Sequence, residues 1–343
     1  MAEQRNRQWC LARRPVGMVS EADFEYREEP LPRIADGEAL LRVLYLSFDP
    51  AMRGWMEDRP SYIPPVQIGE VMRAGAVAQV VESKAPGLAP GDFVQGLFGW
   101  QEWAVSGQGL RAPTKLAPGT PLTWPLGVLG ITGWTAYFGL LDLGKPKAGE
   151  TVLVSGAAGA TGSVAAQIAK HVVGCRVVGI AGGAAKCRWL TAELGLDAAI
   201  DYKSENVARR IGELCPKGVN VYFDNVGGEI LEAALEHIAE RARIVLCGGI
   251  SGYNEKEPAP GPRNLMNLVV RRGRMEGFIV IDYAARFGEA SRELAGWVRA
   301  GKIQHKEDIQ RGIENAPRTF LRLFHGENTG KQLLQVGEPP IKS

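Results

Sequence analysis

The run from Val152 to Val164 constrains this chain more than any other stretch. Val152, Leu153, Val154 and Ser155 lead straight into Gly156, Ala157, Ala158, Gly159, Ala160, Thr161 and Gly162, and Ser163 and Val164 follow. A short apolar strand, a Gly-rich turn and a helix in immediate succession form the opening of a βαβ unit. The first glycines let the backbone turn sharply and come close to a pyrophosphate. Gly162 lets the helix pack tightly on the strand. The helix start offers free N–H groups and the positive end of its dipole to phosphates. The spacing is Gly-x-x-Gly-x-x-Gly rather than Gly-x-Gly-x-x-Gly, and a Gly-rich structural turn is the competing reading.

The flanking pattern decides between the two. From Thr151 the chain alternates short apolar strands (151–155, 175–181, 199–201, 219–224, 243–247 and 274–281) with helices at 162–173, 185–194, 204–214 and 229–238. Strands separated by helical segments imply right-handed crossovers and a parallel, doubly wound sheet. A polar helix is expected from about Ala284 to Arg299. The first third reads differently. Short strands such as Ala39–Leu46, Ala76–Glu82 and Phe93–Leu97 are divided by turns at Asp36-Gly37, Pro86-Gly87, Pro90-Gly91 and Pro118-Gly119, which suggests a mainly β, barrel-like domain. The segment from Ile303 to Ile341 returns to strand-and-turn character and is expected to rejoin that domain. Residues 257–262 read as an exposed Pro-rich loop.

The dinucleotide type is read at the end of the second strand. An NAD site places Asp or Glu there to bind the ribose 2′-hydroxyl. Here the strand ends in Ile180, Ala181, Gly182 and Gly183, no acid follows until Glu193, and Lys186 and Arg188 stand between. Lys or Arg beside a 2′-phosphate gives charge-assisted hydrogen bonds, so NADP(H) is the expected cofactor. A solvated helix charge is the bland reading of both residues.

Other function classes find little support. Net charge is +2 over 343 residues, which argues against a dedicated nucleic-acid or membrane-surface binder. No run approaches the ~18 apolar residues of a membrane span. Met1–Gln8 is polar, and no secretory signal is expected. Cys10, Cys175, Cys187, Cys215 and Cys247 are scattered and odd in number, a cytoplasmic pattern rather than a disulfide framework. His171, His237, His305 and His325 are isolated, and no Cys-x-x-Cys or His-x-x-x-His occurs, so no metal site is expected.

Several segments together carry a family resemblance: Arg5–Trp9, Tyr45–Pro50, Pro60–Pro65, Gly127–Gly130, Asp224–Gly228, Ile250–Asn254, Gly277–Ile279, Glu314–Pro317 and Gly326–Lys331. They span nearly the whole chain. It resembles the zinc-independent branch of the medium-chain dehydrogenase/reductases, which includes prostaglandin reductases, alkenal double-bond reductases and bacterial curcumin reductases. The resemblance implies an α/β fold made of a GroES-like β-barrel domain (1–126 and 304–343) and a Rossmann doubly wound domain (127–303), with the active site in the cleft between them. It implies that Lys186 and Tyr202 hold the adenosine 2′-phosphate, and that Gly182, Asn225 and Ile250 lie at the cofactor. Cys247, Gly248, Phe278, Ile279 and Val280 would pass the nicotinamide side, and Asn328 would add a contact from the C-terminal segment. Tyr253 is the implied catalytic residue, near the nicotinamide ribose and the substrate carbonyl, and Tyr62 would face the substrate. Taken alone, Asn225 and Asn328 are good turn formers, Phe278 a good core residue and Tyr253 a loop tyrosine.

The implied activity is NADPH-dependent reduction of the carbon–carbon double bond of an enone or enal by hydride transfer to the β-carbon, in a homodimer. The strand at 274–281 supplies an edge for such pairing. A quinone oxidoreductase of the same fold and a non-catalytic NADPH-binding module stand as alternatives. Zinc-dependent alcohol dehydrogenase is disfavoured, since Gly69-Glu70-Val71 stands where Gly-His-Glu is expected. One departure bears on substrate preference. Where the family often has a tyrosine and a charged residue, this chain has Ala51 and Trp55.

Overall fold

In the computed structural model, which describes residues 4–107, 112–257 and 260–338, strands form where apolar residues run between Pro and Gly turns. Packing divides the chain into two units, Met1–Gly127 with Glu307–Ser343, and Val128–Lys306. In the first unit, β1 (Arg5–Leu11) and β2 (Phe24–Pro30) form an antiparallel pair. Then come β3 (Ala39–Ser47), β4 (Gly75–Ser83), β5 (Phe93–Leu97), β6 (Trp103–Val105) and β7 (Thr114–Lys115). Residues on both faces of β3 are buried. A single helical turn, α1 (Met52–Trp55), follows β3. It is fixed from within: buried Arg53 donates to the Pro15 and Gly17 carbonyls at 3.3 and 3.2 Å, and Met52 and Met56 are fully buried.

The second unit is a parallel sheet of β8 (Thr151–Val154), β9 (Arg176–Ala181), β10 (Ala198–Asp201), β11 (Val219–Asp224), β12 (Ile238–Leu246) and β13 (Arg274–Gly277). Their order is β10-β9-β8-β11-β12-β13. The order reverses between β8 and β11, the place where doubly wound sheets bind ligands at the carboxyl ends of their strands. The helices are α2 (Ile131–Phe138), α3 (Ala160–Gln167), α4 (Ala184–Arg188), α5 (Val207–Leu214), α6 (Gly228–Glu236), α7 (Met266–Val270) and α8 (Phe287–Arg299). The helix α3 continues as a π-helical turn over Ile168–Val173, closed by Gly174 at φ 87°.

Several boundaries differ from the sequence reading. The helix α5 starts at Val207, because Asn206 accepts the Arg209 N–H at 2.9 Å and caps it. Ile238 belongs to β12, not to the preceding helix; Ile238, Ala242 and Ile244 are buried, and Arg241 at φ 58° marks an irregularity in the strand. The last strand ends at Gly277, because its partner β12 ends at Leu246. Val280–Arg286 then form a 3-10 turn before α8.

The C-terminal segment completes the first unit with β14 (Glu307–Arg311), α9 (Ala316–His325) and β15 (Lys331–Gln335). β15 lies parallel to β14 and antiparallel to β3, giving the order β14-β15-β3-β4-β5-β7, with β6 also on β3. The ten-residue helix α9 corrects the expectation of strands and turns alone. Pro317 opens it, Gly326 at φ 63° closes it, and Ala316, Thr319, Phe320 and Leu323 are buried at helical spacing. Residues 258–259 of the expected Pro-rich loop and 339–341 of the C-terminal segment lie outside the described residues. Among the described residues, no helix is long and apolar enough to cross a membrane.

Phe320 carries α9 onto the core of this unit. Its ring centre lies 5.6 Å from Trp100 and 6.4 Å from both Phe24 and Phe48, and Trp100 itself sits 5.0 and 5.1 Å from those two rings. Buried Lys331 adds a second tie, donating to the Phe48 carbonyl at 2.9 Å and pairing with Asp49 at 2.5 Å. Truncating Phe320 to Ala should open a cavity among these rings and cost about 3–5 kcal/mol, measured as a shift of the denaturant midpoint.

Candidate cofactor and active site

The strand β8 is buried throughout, and Ser155, also buried, follows its last residue Val154. Gly156 follows at φ 57°, a left-handed conformation that favours glycine. Gly159 precedes α3, whose start has no side-chain cap, so its first N–H groups face outward as phosphate donors would. Ala158 completes the turn, and Ala160 and Thr161 open α3. A Cβ on Gly162 would lie 2.3 Å from the Gly156 carbonyl oxygen. Only glycine allows that approach.

The second strand, β9, ends in Ala181, and the next residues carry no acid. A Cβ on Gly182 would meet the Tyr202 ring at 2.9 Å, so the tyrosine lies directly against this glycine. Lys186 sits half-buried and Arg188 exposed on α4. The nearby carboxylate, Asp201 at the end of β10, accepts from the Gly183 N–H at 2.7 Å and the Lys203 N–H at 3.0 Å. The Gly183 bond, first among several, holds its carboxyl below the usual range. This carboxylate serves the turn itself. The arrangement fits a dinucleotide with a 2′-phosphate better than one with a ribose hydroxyl to be read by an acid.

On the other side of β8, the buried carboxylate of Asp224 organises the turn after β11. It accepts from the Ser155 hydroxyl at 2.8 Å, the Tyr222 hydroxyl at 2.7 Å, and the N–H groups of Val226 and Gly227, both at 3.0 Å. Ser155 accepts the Asn225 N–H at 2.9 Å, and the Asn225 side-chain amide donates to the Ser155 carbonyl at 2.7 Å. Asn225 is thereby set beside Gly156, where a Cβ would lie 3.3 Å from the Asn225 Cβ. Sequence reasoning reaches Asp224 only within a motif and gives no role to Ser155 or Tyr222. One signal is available. Tyr222 and Asp224 are two apart in a strand, so they share a face, and a Tyr–Asp pair at the end of an apolar strand needs an internal partner.

A cleft of about 650 Å³ opens at the carboxyl ends of β11, β12 and β13, walled by Asp224, Cys247, Gly248, Phe278, Ile279 and Asp282 among others. Ile250 opens the short 3-10 turn that precedes Tyr253. The Tyr253 hydroxyl accepts the Gly249 N–H at 3.2 Å and lies 3.1 Å from where a Cβ on Gly248 would stand. Phe278 packs on Gly139, where a Cβ would meet its ring at 2.6 Å. Ile279 and Val280 lead into the following turn. Tyr62 and Asn328 belong to the first unit; the Asn328 amide donates to the Gly330 carbonyl at 3.0 Å, within its own loop. Among the described residues, no three His, Cys, Asp or Glu side chains come together as a metal site would require.

Residues 7–112 match the family described as the N-terminal domain of oxidoreductase, and residues 160–296 the family described as zinc-binding dehydrogenase. The NADPH-dependent curcumin reductase of Escherichia coli (strain K12) is 45% identical over 97% of this chain and 98% of its own. The 2-alkenal reductase (NADP(+)-dependent) of Nicotiana tabacum is 37% identical over 98% of this chain and 99% of its own. The crystal structure of CurA in complex with NADPH from Vibrio vulnificus superposes with a TM-score of 0.92 and 41% identity, covering 97% of this chain and 100% of that one. This chain belongs to the medium-chain dehydrogenase/reductase family. It is an NADP-dependent oxidoreductase with the α/β fold of that family, made of a Rossmann domain and a GroES-like one.

In this oxidoreductase the thiol of Cys247 stands half-buried at the cleft wall. Burial, with Asp224 nearby, pushes it up to about 12. Alkylation proceeds through the thiolate. Labelling of Cys247 by iodoacetamide, followed by peptide mass, is therefore expected to be negligible at pH 7 and still to be rising at pH 9. A plateau between pH 8 and 9 would contradict the raised thiol.

Proposed function

We propose that this oxidoreductase reduces the carbon–carbon double bond of α,β-unsaturated ketones and aldehydes, with the hydride delivered to the β-carbon. Its cofactor is NADP(H). The placement of Tyr253 carries the reading. Its hydroxyl accepts from the Gly249 N–H beside Gly248, which walls the cleft. A phenol is protonated at neutral pH and donates a hydrogen bond. Such a donor lowers the barrier where negative charge gathers on a carbonyl oxygen during reduction of the conjugated bond. The activities named for the curcumin and 2-alkenal reductases support the same chemistry.

Bound NADPH supplies a hydride from C4 of its nicotinamide. The chain's own residues hold it in place. Gly156, Ala158, Gly159, Ala160, Thr161 and Gly162 take the pyrophosphate at the start of α3. Gly182, Lys186 and Tyr202 take the adenosine 2′-phosphate. Asn225, Cys247, Gly248, Ile250, Phe278, Ile279 and Val280 flank the nicotinamide and keep water from it. Asn328 is a further cofactor contact, and Tyr62 faces the substrate.

NADPH oxidation over a panel of enals, enones, quinones and plain ketones, with NADH alongside and products identified by mass, tests the reading. Saturated carbonyl products and a strong preference for NADPH are expected. Tyr253→Phe should lower turnover about 10²–10³-fold. Activity on quinones alone, or full turnover in that variant, would overturn the proposal.

We further propose that the enzyme works as a homodimer joined along β13. This strand ends the sheet, most of it is exposed, and α7 presents exposed Met266, Val269 and Val270 beside it. An uncovered edge and apolar patch call for a partner. Light scattering should give twice the 37.1 kDa chain mass, and Val269→Asp with Val270→Asp should give the single chain. A monomeric wild type would refute it.

A further inference from the structure

Tyr62 lies in the segment Pro60–Val66 and is 48% exposed. An exposed loop tyrosine ordinarily samples several rotamers, because nothing offsets the entropy of fixing it. This one is held. The indole Nε1–H of Trp55 donates to the Tyr62 hydroxyl oxygen at 3.0 Å. The Trp55 carbonyl accepts the Val66 N–H at 2.8 Å, tying down the far end of the same segment. The Arg73 guanidinium stands 5.9 Å from the centre of the Trp55 ring, and its Nη1 donates to the Pro64 carbonyl at 2.7 Å. Trp55 itself ends α1, which buried Met52, Arg53 and Met56 anchor in the core.

These ties converge on one residue, and their effect is chemical as well as mechanical. A phenol offers one proton and accepts through its oxygen. With an indole N–H already directed at that oxygen, the group that Tyr62 presents is its proton. Partial desolvation pushes the phenol further above its ordinary value, so the proton is retained at neutral pH. We propose that Trp55 is a positioning residue: it fixes Tyr62 as a hydrogen-bond donor, which selects ligands that carry an oxygen acceptor, such as the carbonyl of a conjugated ketone. This rests on the reading that Tyr62 faces the substrate.

The test uses 4-phenyl-3-buten-2-one, a simple aryl enone. Its dissociation constant is measured by calorimetry on the full chain saturated with NADP+, where no turnover occurs, and its KM and kcat are measured with NADPH. Trp55→Phe removes the indole N–H and keeps an aromatic ring. It is expected to weaken binding and raise KM about five- to tenfold, the loss of one hydrogen bond, with kcat within about twofold and NADPH affinity unchanged. Tyr62→Phe should weaken binding and raise KM at least as much, and should lower kcat as well, since it removes a donor to the carbonyl oxygen. The double variant should be no weaker than Tyr62→Phe, because both changes remove one shared interaction. Wild-type affinity in Trp55→Phe, or losses that multiply in the double variant, would overturn the role of Trp55 while leaving the proposed activity standing. A Tyr62→Phe enzyme that matches wild type would overturn both the substrate-facing reading of Tyr62 and this inference. A wild-type enzyme that neither binds nor reduces the enone would overturn the proposed activity itself, and the inference with it. If Trp55→Phe does not fold, Arg73→Gln serves in its place. It loosens the segment at Pro64 and leaves the indole, and a two- to fivefold weakening is expected; no change would count against the inference.

Discussion

A carboxylate with no access to water must find its hydrogen bonds inside the protein, and Asp224 finds them on both sides of the sheet reversal. Ser155 follows β8 and Tyr222 belongs to β11, and both donate to it. Val226 and Gly227 turn back toward it through their N–H groups. A buried charge left unpaired is costly, so these partners are locked to the carboxylate as firmly as it is to them. The shape of the turn after β11 follows, and with it the position of Asn225 against Gly156. The crevice at the carboxyl ends of the strands thus has a rigid floor made by one side chain. The loop after β12 is attached to the same floor, since the Cys247 and Gly248 N–H groups donate to the Asp224 carbonyl at 2.8 and 3.1 Å.

The first unit solves a different problem. Its segments come from distant parts of the sequence, and aromatic packing joins them. Trp100, Phe24, Phe48 and Phe320 bring four separate segments to one point. Lys331 and Asp49 are set at the entry to α1. Such a pair contributes little net stability once desolvation is counted, yet it tolerates no alternative register. The loop that carries Tyr62 hangs from α1, so its order derives from this packed layer and not from its own exposed residues.

Much of the fold is legible in the sequence because period and punctuation agree. The alternation of strand and helix from Thr151 onward, the Gly-rich turn at 156–162 and the Pro-Gly turns of the first third are local signals, and the strand–helix alternation implies a parallel sheet through right-handed crossovers. The misreadings occur where a distant partner decides. β13 stops at Gly277 because β12 ends beside it, which no local pattern records. Ile238 lies at the end of a helical pattern but is drawn into β12 by pairing with Val219. The helix α9 lies in a segment that reads as strand and turn, and Pro317 and Gly326 act there as its opening and closing residues. At the site, the glycines, Lys186 and the missing acid after β9 are readable because each has a direct chemical reason. The Asp224 network and the Trp55–Tyr62 bond are not readable, since they join residues whose closeness depends on the finished fold.

The strand β15 has a consequence for how the protein comes into being. It fills a place between β14 and β3 and joins residues nearly three hundred positions apart, as in the pairing of Leu333 with Ser47. The second unit, by contrast, is one continuous stretch. On a ribosome the Rossmann unit can be complete while the first unit still lacks a middle strand. The early strands must then wait with an open flank on β3, the situation in which strands of nascent chains pair wrongly. The charged and Pro-rich stretches around β2 and residues 58–65, unsuited to adventitious strand pairing, fall within the part of the chain that waits longest.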